Sequence, residues 1–175
     1  GSVSYGRLEA ESDAFAAALA ADGVRPGDRV ALVLPNCPQF FVAEFGVWKA
    51  GGVTVPLNPT YSERELQQAL DATRAEVVVT LTPFYDRIKQ ARGRTAVRRV
   101  IATSIREYLP MVLRVLFTLF KERKDGHRIR LQPHDQWLQD LIRQHRGAPR
   151  PAVAVRPNDR AVILSSGGTT GTPKG

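Results

Sequence analysis

Four short apolar runs constrain this chain most. They lie at residues 29–34, 53–56, 76–81 and 97–103, and stretches with helical spacing separate them. The first, Arg29-Val30-Ala31-Leu32-Val33-Leu34, is continuously apolar after its arginine. A strand with one wet face alternates, whereas a strand covered on both faces does not. Helices between such strands predict an α/β domain built on a largely parallel sheet.

The intervening segments carry their own signals. Ser4 is placed to cap a helix running to about Ala21, with Leu8, Phe15 and Leu19 at helical spacing and Gly23 as its stop. Asn36 is expected to cap a second helix, with Pro38 in its first turn and Gly51-Gly52 at its end. Phe40, Phe41, Phe45, Trp48 and, further on, Trp137 are expected in the core. Ser62 with Glu65 forms a capping box for a helix to about Thr73. Helices are also expected over 84–91 and 135–145, a linker over 146–157 and a buried strand over 161–164. The organisation expected is an α/β core at 1–104, a basic helical segment at 105–150, and a linker, strand and loop at 151–175.

No stretch approaches the roughly 20 apolar residues needed to span a bilayer as a helix. The first 30 residues carry Glu9, Glu11, Asp13 and Asp22, so no secretory signal is expected. The lone Cys37 excludes an internal disulfide, and a reducing, cytoplasmic setting is the simplest expectation. Cys37 stands at a helix start, where a thiol can be acidified, but nothing beside it suggests catalysis and packing is expected. His127, His134 and His145 fit no zinc spacing.

The net charge of +8 is uneven: residues 87–150 hold 16 Lys/Arg against 5 Asp/Glu, and the remainder 9 against 12. Such a block suits an anionic partner or simply a solvated face. Within it, Met111 to Phe120 is mostly apolar. Arg114, Thr118 and Lys121 form a narrow polar stripe, and the segment 111–124 is too short to span a membrane. Two expectations stand: a helix lying on anionic lipid as a peripheral membrane contact, or a helix buried against protein.

The chemistry is concentrated at the end of the chain. Ser165-Ser166-Gly167-Gly168-Thr169-Thr170-Gly171-Thr172 packs three glycines, two serines and three threonines into eight residues, followed by Pro173-Lys174-Gly175. Glycines let backbone N–H groups turn toward an anion, hydroxyls add donors, and Lys174 adds positive charge. The composition makes a phosphate cradle, and a flexible linker is the plainer reading. It is not a Walker A loop, because Pro173 precedes the lysine and no Ser/Thr follows it.

The segment from Ser166 to Gly175 closely resembles the phosphate-binding signature of the adenylate-forming (AMP-binding) superfamily. The resemblance extends to Gly23-Val24-Arg25-Pro26-Gly27-Asp28-Arg29-Val30, Leu34-Pro35-Asn36 and Lys49-Ala50-Gly51-Gly52. Val55-Pro56-Leu57-Asn58-Pro59-Thr60-Tyr61, followed by Glu65-Leu66, resembles the long-chain fatty-acid–CoA ligase branch. Two departures stand out: Ser165 replaces a frequent aromatic, and Arg7 occupies a place where an acid is usual.

The resemblance implies an N-terminal part of the synthetase large domain, about the first third of the enzyme. It implies activation of a carboxylate by Mg-ATP as acyl-AMP, then transfer to CoA. Ser166, Gly167, Gly168, Thr169, Thr170, Gly171 and Lys174 would hold the ATP phosphates. Thr169 is the candidate Mg2+ ligand and Thr170 the next. The adenine pocket, the acidic metal ligand and the catalytic lysine of the mobile C-terminal domain would lie beyond residue 175. No catalytic residue is therefore expected within this chain, and the chain alone is expected to be inactive. The implied partners are a fatty acid or other carboxylic acid, and CoA. Other expectations are an aryl- or amino-acid-activating enzyme, or a non-catalytic basic module. No nucleic-acid partner is expected, because aromatic and basic residues do not interleave.

Overall fold

The structure, a computed structural model, describes residues 3–118 and 129–164. Helix α1 (Tyr5–Ala21) leads into β1 (Arg29–Val33), then α2 (Pro38–Lys49), β2 (Val53–Pro56), α3 (Glu63–Thr73) and β3 (Val77–Leu81). There follow α4 (Tyr85–Ala91), β4 (Arg99–Thr103), α5 (Met111–Leu116), β5 (Gln136–Trp137) and α6 (Leu138–Gln144). All five strands pair in parallel, in the order β2-β1-β3-β4-β5.

Period-two alternation explains the continuous apolar runs. Val30 and Leu32 face one cluster with Phe15 and Leu19 of α1, Val47 of α2 and Leu141 of α6. Ala31 and Val33 face the other, with Leu66 and Leu70 of α3 and Tyr85 and Ile88 of α4. Both faces are covered, so no polar alternation is needed. Each buried Val or Leu contributes about 1.5–3 kcal/mol.

The caps follow the sequence at two helices and depart from it at a third. The Ser4 side chain accepts from Arg7 N–H at 3.3 Å. At α3, Ser62 Oγ accepts from Glu65 N–H at 3.3 Å, while Glu65 Oε2 accepts from Ser62 N–H at 2.8 Å. The Ser62 hydroxyl, donating to Glu65 Oε2 at 2.7 Å, and then the Ser62 N–H hold the Glu65 carboxyl below its usual range. Asn36 does not cap α2. Cys37 holds that position in extended backbone, with Pro38 as the first helical residue and no side-chain cap bond.

Aromatic packing also departs from expectation. Phe15 is fully buried, but Phe41 is 47% exposed and Phe40, Phe45, Trp48 and Trp137 are half-buried. The reason lies in how closely α1 approaches α2. A Cβ on Gly46 would come 2.5 Å from Phe15 Cδ1, so no larger residue fits there, and Ala43 and Val47 join Phe15 in the same cluster. Its rings pair edge-to-face, Phe40 with Phe41 at 5.7 Å and Phe45 with Trp48 at 5.5 Å, while Phe40 and Trp137 still pack against the two core clusters.

The helix expected over 135–145 begins only at Leu138, because Asp135 anchors its start as a strand. The Asp135 side chain is completely buried. Its Oδ1 accepts from Val100 N–H at 2.9 Å, and Tyr85 donates to Oδ2 at 2.6 Å. Arg92 Nη1 lies 2.9 Å from Oδ1. These bonds draw the chain beside β4, where Gln136 pairs with Ile101 and Trp137 with Ala102. Burial, then the bond to Asp135, push the Tyr85 phenol up to about 12, so it stays a donor at neutral pH.

Candidate functional site

The site begins where residues 161–164 meet the sheet. Thr54, in the middle of β2, donates its N–H to the Ala161 carbonyl at 3.0 Å and accepts from Ile163 N–H at 2.9 Å. Its hydroxyl lies 3.2 Å from the same carbonyl, and Trp48 Nε1 donates to it at 2.9 Å. Three donors thus converge on one oxygen. The segment makes a parallel bridge between Thr54 and Val162 outside β2. Parallel running brings the described chain, at Leu164, toward the ends of the strands where parallel α/β sheets bind ligands.

This segment is a sheet edge rather than the buried strand expected. Val162 is 37% and Leu164 71% exposed. The residues ahead of it hold it in place. Gly51, at φ +78°, closes α2, and a Cβ there would approach Val153 Cγ1 to 2.7 Å. Residues 153–161 therefore lie against Pro26, Trp48 and Gly52 around a groove of about 560 Å3. A turn closed by Arg156 N–H donating to Asp159 Oδ2 at 2.7 Å precedes the strand.

The predicted phosphate donors, Ser166, Gly167, Gly168, Thr169, Thr170, Gly171 and Lys174, lie outside the described residues. Their chemistry fits the group they would hold: hydroxyls and backbone amides suit phosphate oxygens, and a threonine hydroxyl is a hard oxygen donor suited to Mg2+. Among the described residues no cluster of three His, Cys, Asp or Glu side chains could hold a metal.

Cys37 is buried, and burial pushes its thiol up despite backbone bonds from Phe40 and Gln39. It is therefore a packing residue. His145 Nδ1 lies 3.0 Å from the Leu141 carbonyl at the end of α6. The sequence reading passed over Trp48 and Thr54 as polar ties. Thr54 was the available signal, a lone hydroxyl between two valines of a buried strand.

Fold and site define an α/β domain whose edge strand leads into a Gly/Thr-rich segment. The chain belongs to the AMP-binding enzyme family, whose model matches residues 1–175. It is 33% identical over 162 residues to a long-chain-fatty-acid–CoA ligase of Bacillus subtilis (strain 168), covering 92% of this chain and 29% of that protein. It is 34% identical over 180 residues to the Escherichia coli O157:H7 protein of the same name, covering 99% of this chain and 31% of that one. The chain thus spans under a third of these relatives' length. The fold matches a crystal structure of a Brucella canis acyl-CoA synthetase with a TM-score of 0.75 at 20% identity, over 98% of this chain and 27% of that one.

Proposed function

We propose that the full-length protein is an AMP-forming fatty-acid–CoA ligase, to which this chain contributes the phosphate-binding loop. The observation that carries the reading is the sequence from Ser166 to Gly175, just after a segment tied to β2 by Thr54 and to α2 by Trp48. Family membership and the two ligase relatives support it.

In the first half-reaction a carboxylate oxygen of the fatty acid attacks the α-phosphorus of ATP. The bond from that phosphorus to the bridging oxygen breaks, and pyrophosphate leaves. In the second, the CoA sulfur attacks the acyl carbonyl carbon and AMP leaves. Adenylation turns a poor electrophile into a good one. This chain's share is positioning and charge. Backbone amides of Gly167, Gly168 and Gly171 and the hydroxyls of Ser166, Thr169 and Thr170 would take the β- and γ-phosphate oxygens. Lys174 would add a charge-assisted bond. Thr169 would hold Mg2+, which neutralises phosphate charge when bound.

Acid-dependent exchange of labelled pyrophosphate into ATP, run on the full-length protein with a panel of carboxylic acids, tests the substrate class. The expected result is exchange that rises with fatty acyl chain length. Exchange supported only by an aryl acid or an amino acid would overturn it.

A further inference from the structure

We propose that Trp48 and Thr54 are positioning residues for the ATP polyphosphate. Their side chains fix residues 161–164, from which the Gly/Thr-rich segment departs, and so set how strongly ATP is preferred over AMP. The inference rests on the phosphate-loop reading above and adds residues that no part of that signature contains.

The need for side-chain anchors follows from how little backbone holds the segment. Residues 161–164 meet the sheet at a single bridge, Thr54 with Val162. Two backbone bonds make it: Thr54 N–H to the Ala161 carbonyl at 3.0 Å, and Ile163 N–H to the Thr54 carbonyl at 2.9 Å. A strand of ordinary length runs to about five residues, so this ladder is short. Any residue at position 54 would keep both bonds. The ties that depend on side chains are Trp48 Nε1 at 2.9 Å and Thr54 Oγ1 at 3.2 Å, both on the Ala161 carbonyl. A carbonyl oxygen has two lone pairs, so of three donors the most distant counts least. The indole N–H is therefore the main anchor and the hydroxyl the lesser one.

The base beneath the anchor is rigid. The Trp48 ring packs edge-to-face on Phe45 at 5.5 Å. The turn from α2 into β2 is pinned to the turn before β1, where Gly27 N–H donates to the Gly51 carbonyl at 2.9 Å and Val53 N–H to the Asp28 carbonyl at 2.8 Å. The same turn touches the run a second time, since a Cβ on Gly51 would meet Val153 Cγ1 at 2.7 Å. Beyond the bridge, Ile163 packs against the cluster of α3 and α4. Anchors at Val153, Ala161 and Ile163 thus aim the chain as it reaches Ser165 and Ser166. Donors to phosphate oxygens act only within hydrogen-bond geometry, and a displacement of about 1 Å is costly. AMP has no β- or γ-phosphate and is blind to that displacement.

The test is calorimetric binding of ATP and of AMP, each with Mg2+, to the full-length protein without fatty acid. It needs no acyl transfer, so its failure is distinct from failure of the ligase reading. Trp48→Phe keeps an aromatic ring and removes the N–H. It should weaken ATP binding about threefold to tenfold, the worth of one neutral hydrogen bond, and leave AMP binding unchanged. Thr54→Val, which keeps the shape of the side chain, should weaken ATP binding by about twofold, again without effect on AMP. It also serves should Trp48→Phe fail to fold. Unchanged ATP affinity in the folded variants would overturn the proposal. Equal weakening of ATP and AMP would also overturn it, since that marks a merely structural role. Wild-type protein that binds ATP no more tightly than AMP would overturn the phosphate-loop reading and this inference with it.

Discussion

At the scale of the residue, the proposed function puts its sharpest demands on Lys174 and Thr169. A charge-assisted hydrogen bond is worth about 1.5–3 kcal/mol, or roughly tenfold to a hundredfold. Replacing Lys174 by Ala, or Thr169 by Val, in the full-length protein should slow adenylate formation by about that factor and leave the melting temperature in place. Single-turnover formation of acyl-AMP reads this directly, and an unchanged rate would remove the loop from the reaction. The proposal for these residues, which lie outside the described ones, rests on a long and chemically consistent signature: glycines, hydroxyls and a lysine that would all serve an anion. Trp48 and Thr54 were not legible as a pair, since the oxygen they share belongs to Ala161, more than a hundred residues away. Long-range partners of this kind leave no local pattern.

At the scale of the element, strands were read more securely than the ends of helices. The runs at 29–34, 53–56, 76–81 and 97–103 all became strands, trimmed by one or two residues at some ends. Continuous burial on both faces writes itself into composition. The capping box at Ser62 and Glu65 was legible because both partners are local. The start of α2 was misread because Asn36 is a strong cap by type, yet Pro38 fixes the first helical residue one place later. The two-residue β5 escaped notice because its cause is Asp135, whose partners Tyr85, Arg92 and Val100 are distant in sequence. That network carries a prediction. Asp135→Ala would leave Arg92 and the Val100 N–H without their buried acceptor. It should cost about 3–5 kcal/mol in urea unfolding, a loss typical of breaking a buried pair. Asp135→Asn keeps an acceptor for Val100 and should cost less. Equal stability of Asp135→Ala and wild type would mean that β5 is held by the sheet bonds alone.

At the scale of the whole molecule, the sheet order β2-β1-β3-β4-β5 leaves β2 at one edge. From β1 the chain crosses through α2 on one face to reach β2. From β2 it returns through α3 on the other face to β3, on the far side of β1. The edge beyond β2 is then free to take residues 161–164 in parallel, next to the start of the Gly/Thr-rich segment. The reaction this arrangement would serve has a fixed atom balance: the oxygen that joins carbon to phosphorus in acyl-AMP comes from the fatty acid. When CoA displaces AMP, that oxygen leaves with the phosphate. The most direct test therefore gives the full-length protein ATP, CoA and palmitate labelled with 18O in both carboxylate oxygens, and weighs the AMP by mass spectrometry. The account predicts AMP carrying one labelled oxygen, formed one-for-one with acyl-CoA. Unlabelled AMP, or ADP in its place, would contradict it.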